Sequence, residues 1–176
     1  MDNFREEIVV KKNRSLNNLL HMVLMVFMVI FALIATMYLS TIFSAFSIPA
    51  LIILLVSAGI AVLIFLKKDT LRTEYEYTFT NGELDFARVL GNKKRKNLGS
   101  MRVKNVETCG HVAHQSFQRY VTMPGIEKAN WFLNRDGNLF YFYYTKAGKK
   151  HLIVIEPTEE MVALIKQYSS RGAYQG

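Results

Sequence analysis

Two clusters of side chains in this 176-residue chain have the types and spacing to do chemistry. The first is Lys93-Lys94-Arg95-Lys96, four cations in a row. The second is Cys109-Gly110-His111-Val112-Ala113-His114, one thiol and two imidazoles within six residues. Adjacent cations attract an anionic surface, and close to a charged leaflet each basic residue is worth about 1 kcal/mol. Lys93, Lys94, Arg95 and Lys96 are therefore the candidate lipid contacts. The plainer role for the same run is a solvated turn whose charge keeps a sheet edge from pairing.

Cys109, His111 and His114 are three potential metal ligands, but their spacing matches no standard zinc pattern and no second cysteine pair completes a site. On a strand, Cys109 and His111 share a face, which accounts for the pair without a metal. Ser100, Ser116 and Cys109 are the nucleophile candidates. None sits in a recognisable elbow or beside a paired base in the sequence, and there is no glycine-rich phosphate loop. The expectation is a non-enzymatic protein with no cofactor and no metal. A single cysteine excludes an internal disulfide and fits a reducing compartment.

The elements that carry these residues fall into two parts. From Ser15 to Leu66, 52 residues contain no Asp, Glu, Lys or Arg and are mostly apolar. A bilayer core of roughly 30 Å takes about 20 helical residues, so the run suits two crossings. The expected spans are 19–39 and 48–66, joined by the uncharged link Ser40 to Ser47, with Pro49 in the first turn of the second helix. Arg5, Lys11, Lys12 and Arg14 precede the pair and Lys67, Lys68 and Arg72 follow it, while the link has no charge. The positive-inside rule then puts both termini in the cytoplasm of a multi-pass cell-membrane protein. No small-x-small cleavage site follows the first apolar core, which argues against a removed signal peptide. Ser57 with Ala61 and Ala32 with Thr36 are small-residue pairs that permit close helix approach. His21 is the one ionisable side chain inside either span, so there is no sign of an ion path. Residues Asn3 to Val10, within a basic N-terminal segment (1–18), read as a short amphipathic helix at the interface or a mobile tail.

The C-terminal part, Lys67 to Gly176, has 18 Lys+Arg against 11 Asp+Glu. A basic domain tied to a membrane meets anionic headgroups first, which lowers the case for nucleic acid. Tyr75, Tyr77 and Phe79 alternate with Glu74, Glu76 and Thr78, the period of a half-buried strand. Asn81-Gly82 is a hairpin signal, and residues 83–90 return as the next strand. Residues 91–96 read as a basic turn, 97–100 as the start of a third strand, and 103–108 as a turn and a fourth. Residues 111–128 read as a loop broken by Pro124-Gly125. Residues 129–133 form a further strand, with Asp136-Gly137 as a second hairpin signal. Phe140 to Tyr144 is bulky on both faces, which suits a strand covered on both sides or one that meets lipid or a partner. Residues 146–149 turn the chain, and His151 to Ile155 closes the sheet. Met161, Leu164, Ile165 and Tyr168 form one helical stripe, with Thr158 as N-cap and Glu159 and Glu160 in the first turn.

This order resembles the bacterial pleckstrin-homology-like (PH-like) domains in membrane proteins of unknown function. The resemblance is carried by Tyr77-Thr78-Phe79-Thr80-Asn81-Gly82-Glu83-Leu84, by the basic segment from Lys93 to Val106, and by Ile153-Val154-Ile155-Glu156-Pro157-Thr158-Glu159-Glu160. It implies an α+β protein: a transmembrane two-helix hairpin, then a mostly antiparallel PH-like split barrel over 73–171 capped by a C-terminal helix, with a tail at 172–176. The phosphoinositide signature of eukaryotic relatives would need basic residues in the first hairpin loop. Here that loop is Asn81-Gly82, so specific inositide binding is not expected.

Together these readings give a membrane-anchored binding or scaffold module. Its partners are membrane lipids, a protein partner or further copies of the chain, and not nucleic acid. The alternative is an accessory subunit of a larger membrane complex, assembled through the hairpin.

Overall fold

The computed structural model describes residues 3–175. It divides into a helical unit, residues 13–73 with 90–93, and a β-rich unit made of the described parts of 1–12, 74–89 and 94–176.

In the helical unit, α1 (Arg14–Ser44) and α2 (Ile48–Lys67) pack along one another, and a 3-10 turn (Lys68–Arg72) follows. Both helices are long and apolar enough to cross a membrane. The first helix runs beyond the expected span into the expected link. Hydroxyls there bond back onto their own helix: Ser40 donates to the Met37 carbonyl at 2.7 Å and Ser44 to the Ser40 carbonyl at 3.2 Å. Polar residues that satisfy themselves in this way need no loop. Ser47 caps α2 by accepting the Ala50 N–H at 3.2 Å, and Pro49 stands in its first turn. Ala50 and Ser57 are the buried residues of α2, and Ala61 on the same stripe is half-buried. The Ser57–Ala61 pair thus faces α1, whereas Ala32 and Thr36 are exposed and face away from it. Leu55, Val56, Leu63 and Phe65 are among the large apolar side chains left outside.

The β-rich unit has two sheets. The first has the order β1-β2-β3-β4, with β1 (Phe4–Val9), β2 (Thr73–Thr80), β3 (Glu83–Leu90) and β4 (Lys94–Arg102). The second has the order β6-β8-β7-β5-β9, with β5 (Thr108–His111), β6 (Ile126–Trp131), β7 (Phe140–Lys146), β8 (Lys149–Ile155) and β9 (Tyr174–Gln175). Asn81 at φ +48° and Gly82 at φ +91° turn β2 into β3, as the sequence signal requires. The sheets do not close into a barrel; among the described residues the edge strands are β1 and β4 in the first sheet and β6 and β9 in the second.

β1 corrects the expected helix or tail. It pairs antiparallel with β2 over Phe4↔Thr80 to Val9↔Tyr75. Both hairpin helices are therefore inserted between two neighbouring strands of one sheet. The expected hairpin at Asp136-Gly137 is also corrected: β6 runs parallel to β8, and β7 lies on the other side of β8. Glu156 holds the loop between them, accepting N–H groups of Leu133 at 3.3 Å and Asn134 at 3.0 Å. The segment expected to be a loop contains α3 (Ser116–Val121) and the first half of β6.

The main core lies between the sheets: Tyr77, Phe79, Leu84 and Phe86 from the first, Phe140, Phe142, Ile153 and Ile155 from the second. A second cluster explains the bulk on both faces of β7. Tyr141 and Tyr143 face the other way, where α3 covers them; Phe117 lies against Tyr141 and Tyr120 stacks on Tyr143 at 4.5 Å. The last helix, α4 (Glu159–Tyr168), buries Met161, Val162 and Ile165 in the main core. Leu164, expected in the buried stripe, is only half-buried, and Val162 takes its place.

Candidate binding surface

The four-cation run is not one turn. Gly91 to Lys93 turn the chain, with the Lys93 N–H on the Leu90 carbonyl at 3.2 Å, and Lys94 already begins β4. The reason is the positive φ of Gly91 (+58°) and Asn92 (+56°), which completes the reversal before Lys94. On a strand, successive side chains point to opposite faces. Arg95 accordingly separates from Lys94 and Lys96 and lies 2.8 Å from the Glu76 carboxylate of β2. Within the helical unit, the Gly91 N–H donates to the Arg72 carbonyl at 2.9 Å, so the turn folds against the end of the hairpin.

Further along β4 the two-residue period breaks. Leu98 packs on the core and Met101 is buried in it, three positions apart. Between them Gly99 takes φ +138°, and its N–H donates to Asn97 Oδ1 at 2.8 Å. An extra residue at a bulge re-aims the side chains that follow. A cleft of about 320 Å³ runs beside this bulge, and a smaller one of about 230 Å³ shares Ser100, Met101, Tyr144 and Lys146 with it. The larger cleft separates β4 residues 98–101 from a row that crosses the second sheet, Tyr144 opposite His151 and His151 opposite Glu127. Trp131, on the ring of Phe86 at 4.8 Å, and Ile153 give it an apolar floor.

Charge around the clefts is mainly positive. Lys128 and Lys146 line the larger and Arg102 the smaller, where Glu83 is the acidic member. Glu127 is already committed: Lys149 lies 2.9 Å away and His151 3.5 Å. The hydrogen bond from Lys149 holds the Glu127 carboxyl below the usual carboxylate range, and Glu127 in turn raises the Lys149 ammonium. Among the described residues, Lys94, Lys96, Arg102, Lys128 and Lys146 have no acidic partner. The sequence reading missed Arg102, Lys128 and Lys146. They lie on different elements, and only the meeting of β4 with the ends of β6 and β7 gathers them.

The second cluster of reactive types is dispersed. Cys109 is fully buried in the main core, and burial pushes its thiol up to about 12. His111 follows it on β5, with Nδ1 2.8 Å from Asn138 Oδ1 and its ring edge-on to Phe140. His114 instead lies 2.7 Å from Ser116, through Nδ1 and Oγ, and Ser116 Oγ is 2.8 Å from the Tyr141 hydroxyl. This His–Ser contact was not legible at two residues' separation. Its geometry fastens the start of α3 to β7. Among the described residues no three His, Cys, Asp or Glu side chains group as metal ligands.

Two sheets that do not close, with a C-terminal helix packed into their core, fit a PH-like domain, a fold that suggests a binding or scaffold module. The chain belongs to the family described as Bacterial PH-like domain (DUF6106), whose model matches residues 1–175. That match takes in the apolar helices as well as the β-rich unit. No curated protein and no solved structure matches the chain.

Proposed function

We propose that the protein is a membrane-anchored, non-enzymatic binding module of the cytoplasmic membrane. Its hairpin crosses the bilayer twice, both termini lie in the cytoplasm, and its basic domain meets anionic headgroups through Lys93 to Lys96 and a protein partner through the same unit. The observation that carries this reading is the turn Gly91 to Lys93 folded against the hairpin end at Arg72. Lys67, Lys68 and Arg72 follow α2 in the chain, and Lys11, Lys12 and Arg14 lie around the start of α1. Cations gathered where a helix leaves the membrane favour the anionic cytoplasmic leaflet. The insertion of the hairpin between β1 and β2 supports the same topology. Adjacent strands of one sheet cannot stand on opposite sides of a bilayer.

The test uses the full chain in nanodiscs of phosphatidylcholine, with and without phosphatidylglycerol. Hydrogen exchange of amides 91–96 should slow when the anionic lipid is present. Replacing Lys93, Lys94, Arg95 and Lys96 by Gln should remove the difference. Equal exchange in both lipids refutes the headgroup contact. In cells, Ala45→Cys should react with an impermeant maleimide from outside and Lys93→Cys only after lysis; the reverse pattern refutes the topology.

A further inference from the structure

β4 is the strand that leaves most undone. It is nine residues long, has β3 on one side and, among the described residues, no strand on the other. A row of backbone N–H and C=O groups on such an edge is a template for another strand. The clefts run beside it, and a Cβ placed at Gly99 would meet nothing within 4 Å.

We propose that the open edge of β4 takes an extended acidic segment of a partner protein, added to the first sheet as a fifth strand over the ends of β6, β7 and β8. This rests on the reading of the domain as a binding module and names the partner's chemistry. Three features select that occupant. The edge offers alternating donors and acceptors, which an extended backbone matches and a headgroup or acyl chain does not. Leu98, Met101, Trp131 and Ile153 offer an apolar floor for alternate side chains of the added strand. Lys96, Arg102, Lys128 and Lys146 offer charge to the others, with no acidic partner of their own.

A second copy of the chain does not meet these terms. β4 carries Lys94, Arg95, Lys96 and Arg102 and no acidic residue. Antiparallel pairing of two β4 strands would set cations against cations, which is unfavourable for directly opposed pairs. The same charges that disfavour self-pairing attract an acidic strand.

The probe is a ten-residue peptide of alternating Glu and Val, offered to the full chain in uncharged detergent. Saturable binding is expected, with slowed exchange of β4 amides. N-methylation of alternate peptide nitrogens should weaken binding about tenfold or more, because it removes the strand donors while keeping the charge. Arg102→Glu with Lys146→Glu should weaken the peptide about tenfold or more as well. Both side chains lie outside the Lys93 to Lys96 run, so exchange of amides 91–96 on phosphatidylglycerol should be unchanged. Peptide binding without β4 protection, or equal binding of the N-methylated peptide, overturns the proposal. So does the absence of peptide binding; if the lipid response persists, the binding-module reading stands, and if that is absent too, both fall.

Discussion

Glu7→Ala is the substitution whose effect the structure fixes most closely. Helix α4 begins with Thr158, whose hydroxyl accepts the Met161 N–H at 3.4 Å. In a capping box, a Glu or Gln three residues after the cap reaches back to the cap's own N–H. Here that position is Met161, which is buried in the core and has no acceptor to offer. The carboxylate comes instead from β1: Glu7 accepts the Thr158 N–H at 3.0 Å and the Thr158 hydroxyl as well. Arg5 donates to Glu7 at 2.6 Å and also reaches Glu160 at 3.2 Å. The Glu7 side chain is 7% exposed, so water does not replace it.

Removing the carboxylate loses a charged hydrogen bond and leaves a donor unsatisfied at a helix N-terminus. Those costs overlap, and together they come to about 2–4 kcal/mol. Glu7→Gln retains an acceptor and should cost about half as much. Denaturation of the full chain in uncharged detergent measures this, with Trp131, the single tryptophan, as the core reporter. A double-mutant cycle with Thr158→Val isolates the contact and should give a coupling of about 1–2 kcal/mol. Exchange of the β1 amides should rise in parallel. A Glu7→Ala effect within about 0.5 kcal/mol of zero, or strict additivity with Thr158→Val, refutes the linkage of β1 to α4.

Two further expectations concern the core. Ile165→Ala should destabilise by about 2–5 kcal/mol, as truncation of a fully buried side chain does, and Leu164→Ala by clearly less, because Leu164 is half-buried; equal costs in denaturant titrations would mean the helix is rotated from the orientation described. Cys109, its thiol pushed up to about 12 by burial, holds about one part in ten thousand as thiolate at about pH 8. Iodoacetamide should leave it unmodified in the folded chain and alkylate it in concentrated guanidinium, as intact mass would report; rapid alkylation of the folded chain contradicts the packing of β5.

What the sequence disclosed and what it hid follow from how far each signal reaches. The apolar run needs no partner to be recognised, and the Asn81-Gly82 turn and the Thr158 cap are local backbone chemistry. β1 was hidden because its pattern is inverted: Phe4 and Ile8 are 63% and 57% exposed, while the inward-facing positions are Arg5, Glu7 and Val9. Hydrophobicity alone turns such a strand inside out, since its buried residue is a carboxylate with a distant partner. The second half of β6 was legible as a strand, but its start and its place in the sheet were hidden by parallel pairing with a strand more than twenty residues away, which no turn signal can announce. The cation run was legible as composition and misleading as geometry, because the turn closes before Lys94 and distributes the charges over a strand.

The same long-range pairings bear on function. Asn134 accepts the Lys12 N–H at 2.9 Å and donates to the Val10 carbonyl at 3.0 Å, while its side chain also reaches Glu156. With Glu7 on Thr158, this ties the segment preceding α1 to loops of the β-rich unit at several points. The chain enters the hairpin from one strand of the sheet and leaves it into the neighbouring one, with Val9 opposite Tyr75. The strand that the sequence concealed is therefore also the one that makes the apolar hairpin an insertion within a sheet rather than an extension at its start.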